Sequence, residues 1–169
     1  MIDFLFILLL YASGTCFIVA ENSSRIQKKG QELILCRKCG ADVADSYYLF
    51  SKESPGAHKI EYQNLFGRKN VTVQTLVNPF GVPFKIVTAE KARCARMGKS
   101  QGADSWFPGY MWRVCICPQC AVHLGWTFET LKLKENDGDN KSFHGLILGN
   151  LLGENFTNSL ITFPKMYKM

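Results

Sequence analysis

Two C-x-x-C pairs, Cys36-Arg-Lys-Cys39 and Cys117-Pro-Gln-Cys120, stand 77 residues apart, across residues 40–116. Each short loop turns two sulfurs to one side, and two such loops together make the tetrahedral ligand set of a structural zinc ion. Any fold the chain takes must therefore bring an early loop against a late one. Four protein ligands leave such an ion no position for water, so its expected role is structural rather than catalytic. Once Cys16 in the amino-terminal leader is set aside, Cys94 and Cys115 remain as a candidate disulfide. Cys115 in place of Cys117 as a zinc ligand is one alternative; a framework made wholly of disulfides is the other.

A chain of 169 residues, 47% hydrophobic and 20% charged, suits one globular domain. Residues 1–20 begin with an apolar run at 4–11, followed by Ala12, Ser13 and Gly14 and a cleavage position after Ala20. This is the pattern of a secretory signal peptide; as a membrane anchor the run is interrupted by Ser13, Gly14 and Thr15. Export is the expected localisation, with no membrane attachment after cleavage. Asn22, Asn70, Asn140 and Asn155 each begin an N-glycosylation acceptor pattern, which belongs with export. The net charge of +6 is spread along the chain without a long basic helix, so a solvated surface is expected and a nucleic-acid partner is not.

Residues 21–31 read as a polar entry segment, 32–152 as the domain and 153–169 as a carboxyl-terminal extension. Within the domain, ELILC, DSYYLF, VTVQTLV, PFKIVTA, YMWRVCI and GWTFETLKL are short runs rich in β-branched and aromatic residues. ESPGAH, NPFG, GKSQGAD and ENDGDN separate them as turns. The pattern predicts a mostly β, antiparallel domain, with VTVQTLV alternating as on a sheet with one wet face. Residues 91–96 and 141–152 read equally well as helical turn or strand.

All three tryptophans fall within SWFPGYMWRVCICPQCAVHLGWTF, residues 105–128. Trp106, Trp112 and Trp126 follow no helical stripe, but on neighbouring strands they can converge, either as core or as an apolar box for a ring or a cation. SWFPGYMW, CPQC and HLGWTF, together with LCRKC, NPFG and SFHGL, resemble the ligand-binding CULT domain of the cereblon family over residues 33–148. The resemblance implies a β-tent, two antiparallel sheets at a steep angle pinned by zinc on Cys36, Cys39, Cys117 and Cys120. It implies that Trp106, Trp112 and Trp126 wall a cage closed at its base by Phe128, with Asn78, Pro79 and Phe84 at the rim. It also implies ligands of the cyclic-imide and ring-amide class, such as glutarimide, thalidomide-type compounds and uridine, held by the backbone around Asp104, Ser105 and Trp106.

Two positions depart from that family: Asp104 and Phe80 stand where the vertebrate receptor has histidines. An inward Asp104 carboxylate would turn the box towards quaternary ammonium ligands, and a modified peptide terminus carrying an imide is a further candidate ligand. Only a leader and a short polar stretch precede the domain, so docking to a ubiquitin-ligase adaptor is not expected, and a monomer is. The competing class is an enzyme, the B-type methionine sulfoxide reductase, whose β-tent is similar. Its chemistry needs an activated cysteine late in the chain, and no cysteine follows Cys120. His58, His123 and His144 form no evident triad, so the expected class is a binder.

Overall fold

The computed structural model describes residues 31–130 and 142–160. The expected leader, the entry segment up to residue 30, Asn22, Asn140, the ENDGDN turn and residues 161–169 lie outside the described residues.

Two antiparallel sheets make up the domain. The smaller contains β1 (Leu33–Cys36), β2 (Asp42–Asp45) and β11 (Leu151–Gly153), in the order β11-β1-β2. The larger begins with the hairpin of β4 (Lys59–Leu65) and β5 (Arg68–Val77) and continues through β6 (Pro83–Ala89), β10 (Ser142–Ile147), β9 (His123–Thr130), β8 (Tyr110–Ile116) and β7 (Ala95–Gln101). The two-residue β3 (Leu49–Phe50) adds to β6, and a short helix α1 (Glu154–Ser159) follows β11. Glu32, buried beside it, accepts the Asn155 N–H at 2.8 Å. Among the described residues no helix is long and apolar enough to cross a membrane.

PFKIVTA and YMWRVCI form β6 and β8 over their full length, whereas DSYYLF does not form one strand. The Asp45 carboxylate accepts the Tyr47 N–H at 2.8 Å and caps a 3-10 turn at Ser46–Tyr48, leaving only Leu49 and Phe50 extended. Of GKSQGAD, expected as a turn, residues 98–101 instead supply the second half of β7 and only Ala103 and Asp104 turn; pairing with β8 overrides the composition of GKSQ, and Gly98 at φ +76° lies where the register shifts. β4 was not evident in the polar sequence KIEYQNL. It forms as the hairpin partner of β5, across a turn in which Phe66 and Gly67 both take positive φ.

The wet face expected on β5 is in fact covered. Thr72 and Gln74 are buried because residues 51–54 cross over them. Ser51 meets Thr72 through their hydroxyls at 2.8 Å, while Gln74 accepts the Ser54 N–H and donates to the Lys52 carbonyl, both at 2.7 Å. Every polar atom on that face is thereby paired, which makes its burial affordable.

The interior divides into two packed regions. One is aliphatic and lies by the cysteines, built on Ile34, Val43, Val73, Leu124, Leu146 and Leu151. The other is aromatic, centred on Phe107, Trp126, Phe128 and Phe143. Phe128 stacks on Phe143 with centroids 5.0 Å apart, and Phe107 stands edge-on to both.

Candidate binding pocket and metal centre

β1 ends at Cys36 and β8 ends at Ile116, just before Cys117, so each C-x-x-C turn follows directly from a strand. The two turns repeat one backbone design. Gly40 and Ala121 donate to the carbonyls of Cys36 and Cys117 at 2.8 and 2.9 Å, and the Cys36 and Cys117 amides donate to Ala41 and Val122 at 2.8 and 2.9 Å. Both designs need a left-handed residue just after the second cysteine, supplied by Gly40 at φ +75° and Ala121 at φ +56°.

The turns bring Cys36, Cys39, Cys117 and Cys120 together, with all four sulfurs within 4.8 Å of one another. Cys36 lies 3.7 Å from Cys120 and Cys39 3.6 Å from Cys117. Zinc–sulfur bonds of about 2.3 Å place tetrahedral sulfurs about 3.8 Å apart, so the cluster fits such an ion. Its electrostatics agree. The Ala41 backbone favours the Cys39 thiolate, yet desolvation and the three neighbouring thiols push its pKa up to about 12. Burial raises Cys117, but hydrogen bonds from the Cys120 and Gln119 backbone and from the neighbouring thiols bring it down to about 7. Four crowded sulfurs without a counter-charge cannot all ionise; a bound dication removes that conflict.

Cys94 and Cys115 are joined in a disulfide, with Cα atoms 5.4 Å apart. Both alternative cysteine assignments fall: Cys115 is spent in this bond, and Cys36, Cys39, Cys117 and Cys120 form no disulfide.

At the aromatic end, Trp106, Trp112, Trp126 and Phe128 line a pocket of about 320 Å³ together with Asn78, Pro79, Phe80, Gln101 and Asp104. Trp112 and Phe128 are direct register partners on β8 and β9, and two residues along β9 from Phe128, on the same face, stands Trp126. Trp106 arrives from the loop after β7 and meets Trp126 edge-on, with centroids 4.6 Å apart at 75°. Two of the indoles are tied by their N–H groups, Trp106 to the Val77 carbonyl and Trp112 to the Ala103 carbonyl, each at 2.8 Å.

Phe84 and Ser105 are not among the lining residues. The Phe84 ring packs edge-on to Trp126 at 5.0 Å, outside the pocket lining. Ser105 Oγ braces its own loop by donating to the Phe107 carbonyl at 3.1 Å. Asn78 holds the rim turn, its side-chain oxygen accepting the N–H groups of Phe80 and Val82 at 3.0 and 2.8 Å. That turn presents Phe80 at 90% exposure. Asp104 is exposed and takes φ +54°, a left-handed conformation that Asp tolerates better than most residues.

Three contributors had no evident signal in the sequence. Gln101 reaches the lining because β7 extends to it, opposite Trp112. His123 stands edge-on to Trp126 at 4.6 Å and donates Nε2–H to the Gly125 carbonyl at 2.9 Å. Burial lowers its pKa and that hydrogen bond partly offsets the effect, so the ring serves as a neutral buttress. Ser54 donates its hydroxyl to the Trp106 carbonyl. Among the described residues no hydrogen bond occupies the Asp104 carbonyl or the Trp106 N–H.

Of the glycosylation candidates, Asn70 and Asn155 are exposed. Asn70 sits at φ +54°, while Thr72, the third residue of its acceptor pattern, is buried.

No known family profile matches this chain. Among curated proteins, cereblon of Drosophila yakuba is 30% identical over 125 residues, covering 69% of this chain and 18% of the fly protein. Cereblon of Drosophila virilis is 28% identical over 107 residues, or 62% and 14% of the two chains. Cereblon of Danio rerio is 39% identical over 57 residues, or 33% and 13%. Each match spans less than a fifth of the relative's length. With its two antiparallel sheets and its four-cysteine cluster, the chain carries a cereblon-type (CULT) domain.

Proposed function

We propose that this domain binds cyclic imides or related ring amides in the tryptophan-lined pocket, with zinc as the structural ion on the four cysteines. The observation that carries the reading is the convergence of three indoles and Phe128 on one pocket beside a backbone acceptor and a donor to which no described residue is hydrogen-bonded. An imide presents C=O, N–H and C=O in a row. Ser54 already occupies the Trp106 carbonyl, so the Asp104 carbonyl is left for the imide N–H and the Trp106 amide for one imide oxygen. The indoles then hold the ring by shape and exclude water.

Binding without chemical transformation is part of the same reading, and the composition of the pocket supports it. The lining contains no cysteine, serine or histidine, and a four-thiolate ion offers no open position to a substrate. A second reading rests on Asp104, whose carboxylate beside an aromatic box suits a quaternary ammonium ligand. Export through the 1–20 leader and glycosylation complete the proposal.

Titration of the purified chain with glutarimide, uridine and a trimethylammonium compound, read by tryptophan fluorescence, tests it. Quenching by the imide that is lost in Trp106→Ala and Trp126→Ala is the expected result. A response confined to the ammonium compound would move the assignment to the second reading, and silence towards all three would end both.

A further inference from the structure

A second set of donors, distinct from the pocket lining and from the four-cysteine cluster, packs into the aliphatic region. Cys94, half-buried just before β7, is bonded to the buried Cys115 of β8, and His144 of β10 places Nδ1 3.4 Å from Cys94 Sγ. The two sulfurs and a ring nitrogen of His144 all lie within 4.8 Å of one another. Thr127, the register partner of His144 on β9, sets its hydroxyl oxygen 3.1 Å from Nδ1 and 3.7 Å from Cys94 Sγ. A cross-link that served only to tie two strands would need none of this; an aliphatic side chain would fill the space with no polar atom to bury.

His144 is only 6% exposed. Burial chiefly, and then the nearby Arg96, lower its pKa to about 4, so the ring is neutral, the form in which imidazole binds metals. Cys94 alone of the three donors is open to solvent and supplies an entry path.

We propose that reduction of the Cys94–Cys115 disulfide creates a second metal site, formed by Cys94, Cys115 and His144, for a thiophilic divalent ion of the zinc class. A trialkylphosphine and water convert the disulfide to two thiols and the phosphine oxide. Each thiol releases its proton to solvent as the ion binds, so two thiolates neutralise a dication in a desolvated place. The Cα separation of 5.4 Å lets side-chain rotation part the sulfurs to the spacing of about 3.8 Å that a tetrahedral ion requires. Thr127 Oγ1 or a water reached past Cys94 completes the fourth position. The same two cysteines thus alternate between a cross-link and a metal clamp.

The test counts zinc on the full chain after desalting, once with the disulfide intact and once after phosphine treatment. The expected result is a rise from one ion per chain to two. X-ray absorption at the zinc edge then shows the mean sulfur number falling from about four to about three, with a nitrogen shell appearing. Cys94→Ser and His144→Gln lose the second ion and keep the first, which also reports that the fold has survived. If a variant loses both ions through misfolding, the absorption spectrum of the reduced unsubstituted chain still decides. Fewer than two ions on that chain, or a second ion with no nitrogen ligand, overturns the proposal.

Discussion

In the proposed binding Asp104 has two roles, through a backbone carbonyl that no described residue occupies and through an exposed carboxylate, and the two separate by substitution. In Asp104→Asn the left-handed conformation remains tolerable and the carbonyl stays in place. Imide affinity is expected to hold within about threefold, while any affinity for a trimethylammonium compound falls; isothermal titration of both ligands measures this. Trp112→Ala removes one wall and is expected to weaken imide binding by about 2 kcal/mol, or roughly thirtyfold. His144 makes a third case, through linkage. Its folded-state pKa, about 4, lies below the ordinary 6.5, so the unfolded chain takes up a proton that the folded chain refuses. The contribution of His144 to stability is therefore complete above pH 6.5 and is lost as pH falls towards 4, at roughly 1.4 kcal/mol per unit. Urea midpoints between pH 7 and pH 4.5 are expected to fall less steeply in His144→Gln than in the unsubstituted chain.

Between elements, β9 and β10 leave no room for a side chain at Gly125. With φ +146°, a Cβ there would stand 1.9 Å from the Gly145 carbonyl oxygen, a backbone atom that cannot step aside. Gly125→Ala is expected to part the strands, to destabilise the fold by more than about 3 kcal/mol, and to displace the adjacent Trp126. Chemical denaturation and tryptophan fluorescence report the two effects separately. The paired cysteine turns make a milder case. Ala121 carries a Cβ in a left-handed position where its counterpart, Gly40, has none. Ala121→Gly relieves a strain of about 1–2 kcal/mol against a chain-entropy cost of about 0.5–1 kcal/mol, for a small net gain visible in thermal midpoint. At this level the sequence was legible where a strand's own residues specify it, as in PFKIVTA and YMWRVCI. It was illegible where pairing imposes the conformation, as in GKSQ at the end of β7 and in all of β4.

Across the whole molecule, the aliphatic region by the cysteines and the aromatic region by the pocket share strands β8 and β9, so the four-cysteine cluster supports the pocket from the far end. A structural zinc ion contributes an apparent folding energy of about 10–16 kcal/mol, against a net stability of about 5–15 kcal/mol for a typical domain. Chelation under non-reducing conditions is expected to abolish cooperative unfolding and to flatten the near-ultraviolet circular dichroism of the tryptophans. An unchanged unfolding curve after the metal is stripped would remove the ion's structural role.

Side-chain chemistry at fixed spacing carries its own meaning. Spacing favoured a meeting of Cys36 and Cys39 with Cys117 and Cys120, while Cys115 and a disulfide framework stayed open as alternatives, and the convergence of the three tryptophans on a cage came from the family resemblance. Contacts between distant segments carry no such local trace. Nothing in the residues around Ser54 announces that its hydroxyl will take the Trp106 carbonyl, nor around His123 that it will brace Trp126. Nor could the chain show that Phe84 would stand behind the pocket wall, or that His144 would lie against the Cys94–Cys115 sulfurs. Those arrangements depend on which strands become neighbours, and that is decided by the balance of burial and hydrogen bonding over the entire fold.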